Sequence, residues 1–192
     1  MKFINKIKVV VLTTLIALFF TGCNTTNKIA KKKLKDITSL KPKEIVILLG
    51  ARIWDGASER QIENYRRVFG FGDTDKDGRH SKKEYIENGR YMTPQARQGI
   101  FKASDANNDG FVTQSEYVEN RIITDEAKRI FNEMDADQNG KLTDFEFFKA
   151  GKIKEQNLAE EIFLALDTND DKELVIPEYL RVWGKWARNI SP

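Results

Sequence analysis

Residues 105–116 read DANNDGFVTQSE and residues 135–146 read DADQNGKLTDFE, and these two stretches decide the fold. Each starts with aspartate, carries side-chain oxygens at its first, third and fifth positions, has glycine at its sixth and ends with glutamate at its twelfth. The same spacing occurs at residues 73–84, DTDKDGRHSKKE, and with fewer matches at residues 167–178, DTNDDKELVIPE. The four starting aspartates are 32, 30 and 32 residues apart, so the chain contains a fourfold repeat. We number these loops 1 to 4 in chain order.

Aromatic residues flank every loop at fixed distances. A phenylalanine lies four positions before each starting aspartate, and an aromatic residue directly follows each closing glutamate; the two sets are Phe69, Phe101, Phe131 and Phe163, and Tyr85, Tyr117, Phe147 and Tyr179. We expect an apolar-faced helix on each side of every loop, with these rings closing a shared core. Outside the helices we expect only a short strand pairing between adjacent loops.

Capping residues predict where several of these helices begin and end. Thr93 followed by Pro94 indicates a helix start, and Thr124 indicates a second start at Asp125. Gly151 indicates a helix end. Because the connections between loops are short, we expect separate helices, and not one long central helix, between loops 2 and 3.

The loops place oxygen atoms as calcium requires them. Calcium takes about 6–8 oxygens, which a 12-residue loop supplies from side chains at positions 1, 3 and 5, a carbonyl at 7 and a bidentate glutamate at 12. Glycine at position 6 permits the sharp turn. The predicted ligands, with position 7 contributing its carbonyl, are Asp73, Asp75, Asp77, Arg79 and Glu84 in loop 1; Asp105, Asn107, Asp109, Phe111 and Glu116 in loop 2; Asp135, Asp137, Asn139, Lys141 and Glu146 in loop 3; and Asp167, Asn169, Asp171, Glu173 and Glu178 in loop 4.

Loops 1 and 4 depart from the pattern. His80 occupies position 8 of loop 1, where an aliphatic residue usually packs between paired loops, and we interpret it as a packing substitute and not as a ligand. In loop 4, Lys172 replaces the turn glycine and Val175 replaces the polar residue at position 9. A lysine there must adopt positive φ at a cost of about 1–2 kcal/mol. We therefore expect three bound calcium ions and leave the fourth site open.

The repeated loops and their flanking aromatics resemble the EF-hand superfamily over residues 62–188. The resemblance implies an all-α fold of two EF-hand pairs, residues 62–121 and 122–192, with a short β pairing between loops. It also implies calcium binding in one of two roles: a structural or interaction module stabilised by calcium, or a sensor that regulates an envelope partner. We expect no enzymatic activity, because the sequence contains no phosphate-binding loop, nucleophile elbow or zinc pattern.

The N-terminal residues predict export and anchoring. Residues 1–22 combine three lysines, an apolar run and a small-residue end, as a signal peptide does. Residues 20–23, FTGC, resemble the lipobox of bacterial lipoproteins, which implies cleavage before Cys23, lipidation of Cys23, and attachment to the bacterial cell membrane or outer membrane. An ordinary secretory leader with an incidental cysteine is the alternative. Residues 23–44 then form a lysine-rich tether, which either contacts anionic lipid headgroups or is a solvated linker.

Charge is segregated along the predicted mature chain. Residues 23–44 have a net charge of +5, whereas residues 45–192 hold 22 basic and 27 acidic residues. An acidic body binds cations more readily than nucleic acid, so we expect no nucleic-acid partner, while an unidentified protein partner stays open.

Residues 45–61 predict an additional helix before loop 1. Ile45, Leu48, Leu49 and Ile53 share one helical face, and we expect this face to pack on the EF-hand body. A partner-facing or membrane-dipping surface is the alternative, although the apolar run is shorter than the roughly 20 residues that a membrane span needs. We likewise expect Trp183, in the C-terminal helix, to pack in the core.

Overall fold

The computed structural model describes residues 40–188, so the predicted signal peptide, Cys23 and most of the predicted tether lie outside the described residues. The α-helices are α1 (Pro42–Leu48), α2 (Glu59–Gly72), α3 (Pro94–Ser104), α4 (Gln114–Met134), α5 (Asp144–Lys149), α6 (Gln156–Leu166) and α7 (Ile176–Ala187). A 3₁₀ turn, Ile53–Gly56, follows α1, and a π-helical turn, Lys83–Glu87, follows loop 1. None of the helices in this part of the chain is long and apolar enough to cross a membrane.

Two short antiparallel sheets join the loops in pairs. Strands β1 (Arg79–His80) and β2 (Val112–Thr113) join loops 1 and 2, and β3 (Lys141–Thr143) and β4 (Glu173–Val175) join loops 3 and 4. The position-8 residues lie opposite each other in both sheets, His80 against Val112 and Leu142 against Leu174. These pairings confirm the predicted all-α fold of two EF-hand pairs with a short β pairing between loops.

Helix α4 runs without a break between loops 2 and 3, so the prediction of separate helices in this segment is wrong. Thr124 lies inside α4, where its hydroxyl donates to the Asn120 carbonyl (2.8 Å) instead of capping a helix start. Buried side chains recur along the whole of α4, and neither glycine nor proline interrupts it. Arg121 and Asp125, one turn apart, form an ion pair across the predicted boundary (3.1 Å).

Helix α1 is shorter than the sequence predicts, and its buried face is shifted. It ends at Leu48, which is 41% exposed, and Val46 is buried instead. Gly50 has φ +95°, and it ends the helix in a Schellman motif: its N–H donates to the Ile47 carbonyl (2.9 Å), and the Ala51 N–H donates to the Val46 carbonyl (3.0 Å).

The main core joins α1, α4 and the second EF-hand pair. Helix α1 contacts α7, and Ile45, Val46 and Leu49 are buried in the same hydrophobic cluster as Tyr179 and Trp183. The prediction that Trp183 packs in the core is thereby confirmed.

The four phenylalanines that precede the loops are all buried, as predicted, but not in one core. Phe131 and Phe163 belong to the main cluster, whereas Phe69 and Phe101 lie in a smaller aromatic group with Tyr85 and His80 in the first pair.

Candidate metal centres in the four loops

In loops 1, 2 and 3, the closing glutamate is held by the residue three positions before it. Thr113 and Thr143 are the N-cap residues of α4 and α5, and they form capping boxes with Glu116 and Glu146. In loop 1, the Ser81 N–H and hydroxyl donate to Glu84 Oε2 in the same way (2.9 and 2.8 Å). The hydroxyl residue at position 9 therefore orients the predicted bidentate ligand, a role that the sequence analysis did not assign to it.

The other oxygen of each closing glutamate reaches the beginning of the loop. Oε1 accepts the backbone N–H of the residue at position 2 in all four loops: Thr74 (2.8 Å), Ala106 (3.0 Å), Ala136 (3.1 Å) and Thr168 (2.8 Å). One carboxylate thus ties the two ends of each loop together, which brings positions 1 and 12 close to each other.

The starting aspartates are oriented by the turn at position 6. In every loop, Oδ2 of the first aspartate accepts the N–H of the sixth residue, at 2.9–3.1 Å; the donors are Gly78, Gly110, Gly140 and Lys172. This bond fixes the orientation of the aspartate carboxylate.

Three carboxylates converge in loop 1 and in loop 3. Oxygens of Asp73, Asp75 and Glu84 all lie within 4.8 Å of one another, and the same holds for Asp135, Asp137 and Glu146. Exposed acidic groups are common in proteins without an ion, so a metal-binding interpretation needs a second observation.

Buried oxygens without hydrogen-bond partners supply that observation. They are Asp73 Oδ1 in loop 1, Asp135 Oδ1 in loop 3 and Glu178 Oε2 in loop 4, all predicted ligand side chains. Buried polar atoms are nearly always hydrogen-bonded, and an unpaired charged oxygen is costly. A divalent cation with several oxygen ligands would satisfy these atoms, so the residues fit calcium.

The side chains at positions 3 and 5 make hydrogen bonds within their own loops. Positions 3 and 5 are paired in loops 2, 3 and 4, and these pairs are Asn107–Asp109, Asp137–Asn139 and Asn169–Asp171. In loop 1, the Asp77 side chain is paired with Arg79, and Asp75 Oδ1 accepts only the backbone N–H of Asp77. The predicted carbonyl ligands at position 7 lie at or next to the start of the short strands: Arg79, Phe111, Lys141 and Glu173.

The backbone turns through the left-handed region at two positions of each loop, not only at position 6. Lys172 has φ +65°, against +81° to +86° for the three glycines at this position. Position 4 is also left-handed in every loop, with φ of 59–62° at Lys76, Asn108, Gln138 and Asp170. Loop 4 therefore adopts the shape of the other loops without the glycine.

Hydrogen bonds lower the pKa of two of the closing glutamates. Burial raises the pKa of Glu84, but hydrogen bonds from Ser81 and Thr74 outweigh this effect and lower the pKa to about 2. Hydrogen bonds from Thr143 likewise lower the pKa of Glu146. A cation would therefore meet carboxylates that already carry their charge.

His80 packs between the paired loops and is not directed at the ligands. Its ring is buried and stacks on Phe69 with 4.0 Å between ring centroids, and its Nε2 lies 2.9 Å from the Phe69 carbonyl oxygen. The interpretation of His80 as a packing residue is confirmed.

Two protein-family models match the chain. An EF-hand model matches residues 97–119, which contain loop 2, and a model of an EF-hand domain pair matches residues 124–153, which contain loop 3. No curated protein matches the chain. The two family matches and the acidic clusters together support an EF-hand calcium-binding protein.

Proposed function

We propose that the chain binds calcium in loops 1, 2 and 3, with a weaker fourth site in loop 4. The buried, unpaired oxygens of Asp73 and Asp135 carry this proposal, because each lies beside two further carboxylates whose oxygens are within 4.8 Å. When bound, calcium supplies a hard positive charge with room for about 6–8 oxygens. Calcium also tolerates irregular geometry, which suits loops of mixed carboxylate, amide and carbonyl ligands better than the strict octahedron of magnesium.

Calorimetric titration of the full-length chain with calcium tests the proposal. We expect three clear sites, and we expect Glu116→Gln and Glu146→Gln each to remove one, because each substitution removes a charged bidentate ligand. Glu87→Gln, an exposed change outside the loops, is the matched control and should leave all sites intact. Absence of bound calcium in the wild-type chain would refute the proposal.

Among the two roles, the cover over the second EF-hand pair favours a calcium-stabilised structural or interaction module without catalytic activity. Helix α1 packs against α7 and buries Ile45, Val46 and Leu49 there, so the apolar face that a sensor exposes to its target is already covered in this pair. Comparing the thermal midpoint with calcium and with excess chelator tests whether calcium stabilises the fold. We expect a higher midpoint with calcium, since a ligand that binds only the folded state stabilises it.

A calcium sensor is the second candidate, and exposed apolar side chains in the first pair favour it. Phe71 and Tyr91 are 74% and 81% exposed. A sensor would expose more apolar surface when calcium binds, so the fluorescence of a hydrophobic dye would rise on calcium addition. A module that calcium merely stabilises would show no such rise.

We further propose that the protein is exported and anchored through a lipid on Cys23. The order of charged, apolar and small residues before Cys23 supports this proposal. In a bacterium, the full-length protein should fractionate with membranes and incorporate labelled fatty acid, and Cys23→Ser should abolish the labelling. If the wild-type protein and Cys23→Ser were both soluble and incorporated no fatty acid, the proposed lipid anchor would be contradicted.

A further inference from the structure

Loops 2, 3 and 4 share a side-chain pair that loop 1 lacks. At positions 3 and 5, one amide donates to one carboxylate: Asn107 to Asp109 (3.1 Å), Asn139 to Asp137 (2.8 Å) and Asn169 to Asp171 (2.9 Å). The amide places a donor beside a carboxylate and avoids two neighbouring negative charges. Loop 1 has aspartate at both positions, Asp75 and Asp77, and so cannot form this bond.

Arg79 takes the place of the missing amide in loop 1. Its side-chain Nε donates to Asp77 Oδ2 (2.9 Å), and its backbone N–H donates to Asp77 Oδ1 (3.0 Å). Both oxygens of the predicted position-5 ligand are therefore held by one residue. The backbone carbonyl of the same residue is the predicted ligand at position 7.

The paired loop fixes the Arg79 guanidinium from its other side. The guanidinium carbon lies 3.9 Å from the ring centroid of Phe111, in cation–π contact. Phe111 is position 7 of loop 2, so this contact joins the position-7 residues of the first pair. Arg79 is thereby held on Asp77 although its side chain is about half exposed.

We propose that the Arg79 side chain is a positioning residue that sets the calcium affinity of loop 1, by holding Asp77 in place of the amide and by competing with the ion for its charge. This inference rests on the proposed calcium binding of loop 1. At the side-chain ligand positions 1, 3, 5 and 12, loop 1 carries four carboxylates, whereas each of the other loops carries three. The guanidinium reduces their combined attraction for a cation and also their mutual repulsion when no cation is bound.

Removal of the side-chain charge should therefore change affinity and stability in opposite directions. Arg79→Met keeps the backbone carbonyl and an unbranched side chain next to Phe111, but it removes the charge and the Nε donor. Partly exposed ion pairs are weak, so we expect calcium binding to loop 1 to become about two- to fivefold tighter. In chelator we expect the thermal midpoint to fall by about 1–4 °C, because Asp75 and Asp77 then repel each other unscreened.

Lys82 provides a matched control in the same loop. It is exposed, lies at position 10 and is not a predicted ligand. Lys82→Met removes one positive charge from loop 1, as Arg79→Met does, but leaves the hydrogen bond between Arg79 and Asp77 in place. We expect it to change the calcium affinity of loop 1 by less than about twofold.

The experiment uses calorimetric calcium titration of the full-length chain in one background. Glu116→Gln, Glu146→Gln and Glu178→Gln leave loop 1 as the site to be measured, both for Arg79→Met and for the Lys82→Met control. Thermal unfolding in excess chelator gives the second readout. Asp75→Asn in the Arg79→Met protein restores the amide–carboxylate pair of the other loops, and we expect it to recover the lost thermal midpoint.

Each outcome separates this inference from the proposed function. Tighter binding together with a lower midpoint in chelator supports the role of Arg79. Unchanged or weaker calcium binding in Arg79→Met overturns the proposed role of Arg79. If the side chain had a merely structural role, its removal would lower both the calcium affinity and the thermal midpoint, or neither. If the background protein with intact loop 1 binds no calcium even with Arg79 present, the proposed function of loop 1 fails, and the inference fails with it.

Discussion

Lys172→Gly is expected to change the stability of the fold more clearly than the calcium affinity of loop 4. Lys172 already lies at φ +65°, and its N–H donates to Asp167 Oδ2 at 2.9 Å, as the glycines of the other loops donate to their aspartates. The left-handed conformation costs about 1–2 kcal/mol, and the folded loop bears that cost whether or not an ion is bound. Relief of the strain should therefore raise the free energy of unfolding and change the calcium affinity of loop 4 much less.

The magnitude follows from two opposing terms. Glycine removes the left-handed penalty of about 1–2 kcal/mol but adds about 0.4–1 kcal/mol of unfolded-state entropy. The net gain is about 1 kcal/mol, which corresponds to a rise of about 2–4 °C in the thermal midpoint for a chain of this size. Loss of the exposed ammonium should tighten calcium binding about two- to fivefold, because the charge is screened by solvent.

Lys172→Ala is the control that separates strain from charge. Alanine removes the ammonium but keeps a Cβ in the left-handed region, so it should match glycine in calcium affinity and fall below it in thermal midpoint. Affinity is measured in a chain carrying Glu84→Gln, Glu116→Gln and Glu146→Gln, which isolates loop 4. If Lys172→Gly bound calcium at loop 4 ten times more tightly than Lys172→Ala, the reasoning would be refuted. Such a difference would mean that the loop becomes left-handed only when the ion binds.

Three further outcomes are expected. Val175→Thr gives Glu178 Oε2 the hydroxyl donor that it lacks, and should add about 0.5–2 kcal/mol to the free energy of unfolding in chelator; no gain would exclude a capping role for position 9. Glu126→Ala removes the acceptor of the Arg52 N–H (2.7 Å) and should cost about 1–3 kcal/mol in denaturant unfolding, with faster amide exchange at Arg52; unchanged exchange would contradict this. The pKa of Glu84 in the folded protein is about 2, below its ordinary value of 4.5, so its stabilising contribution is present above pH 4.5 and is lost as pH falls towards 2. In chelator, the free energy of unfolding should therefore fall less steeply over this pH range in Glu84→Gln than in the wild-type chain.

The loops and their pairing could be predicted because their information is local. Positions 1, 6 and 12 each need one residue type for a physical reason, so Asp135, Gly140 and Glu146 reveal loop 3 without any knowledge of distant contacts. The hydroxyl at position 9 was equally readable, since Thr143 and Glu146 form a recognisable capping box. Val175 would then have indicated a missing cap and not only a missing water-mediated ligand.

Other features carry no comparable signal. Position 4 is left-handed in all four loops, yet it holds lysine, asparagine, glutamine and aspartate, so no residue type marks it. Threonine commonly caps helices, so Thr124 looks like a helix start in the sequence. Only the buried side chains on both sides of it show that α4 continues through this position. Gly50 did carry a signal, because a glycine after an apolar helical run is the usual end of a Schellman motif.

The two EF-hand pairs look equivalent in sequence but differ in what covers them, because that cover comes from outside the repeat. Helix α1 adds Ile45, Val46 and Leu49 to the core of the second pair. The connection that brings it there is strained: Ile53, a β-branched residue, has φ +46°. Such a conformation persists only where surrounding contacts hold it, and Glu126 accepts the N–H of the preceding residue, Arg52, from α4. A fourfold pattern therefore predicts four similar loops, whereas the asymmetry between the pairs depends on a long-range contact that no repeat can encode.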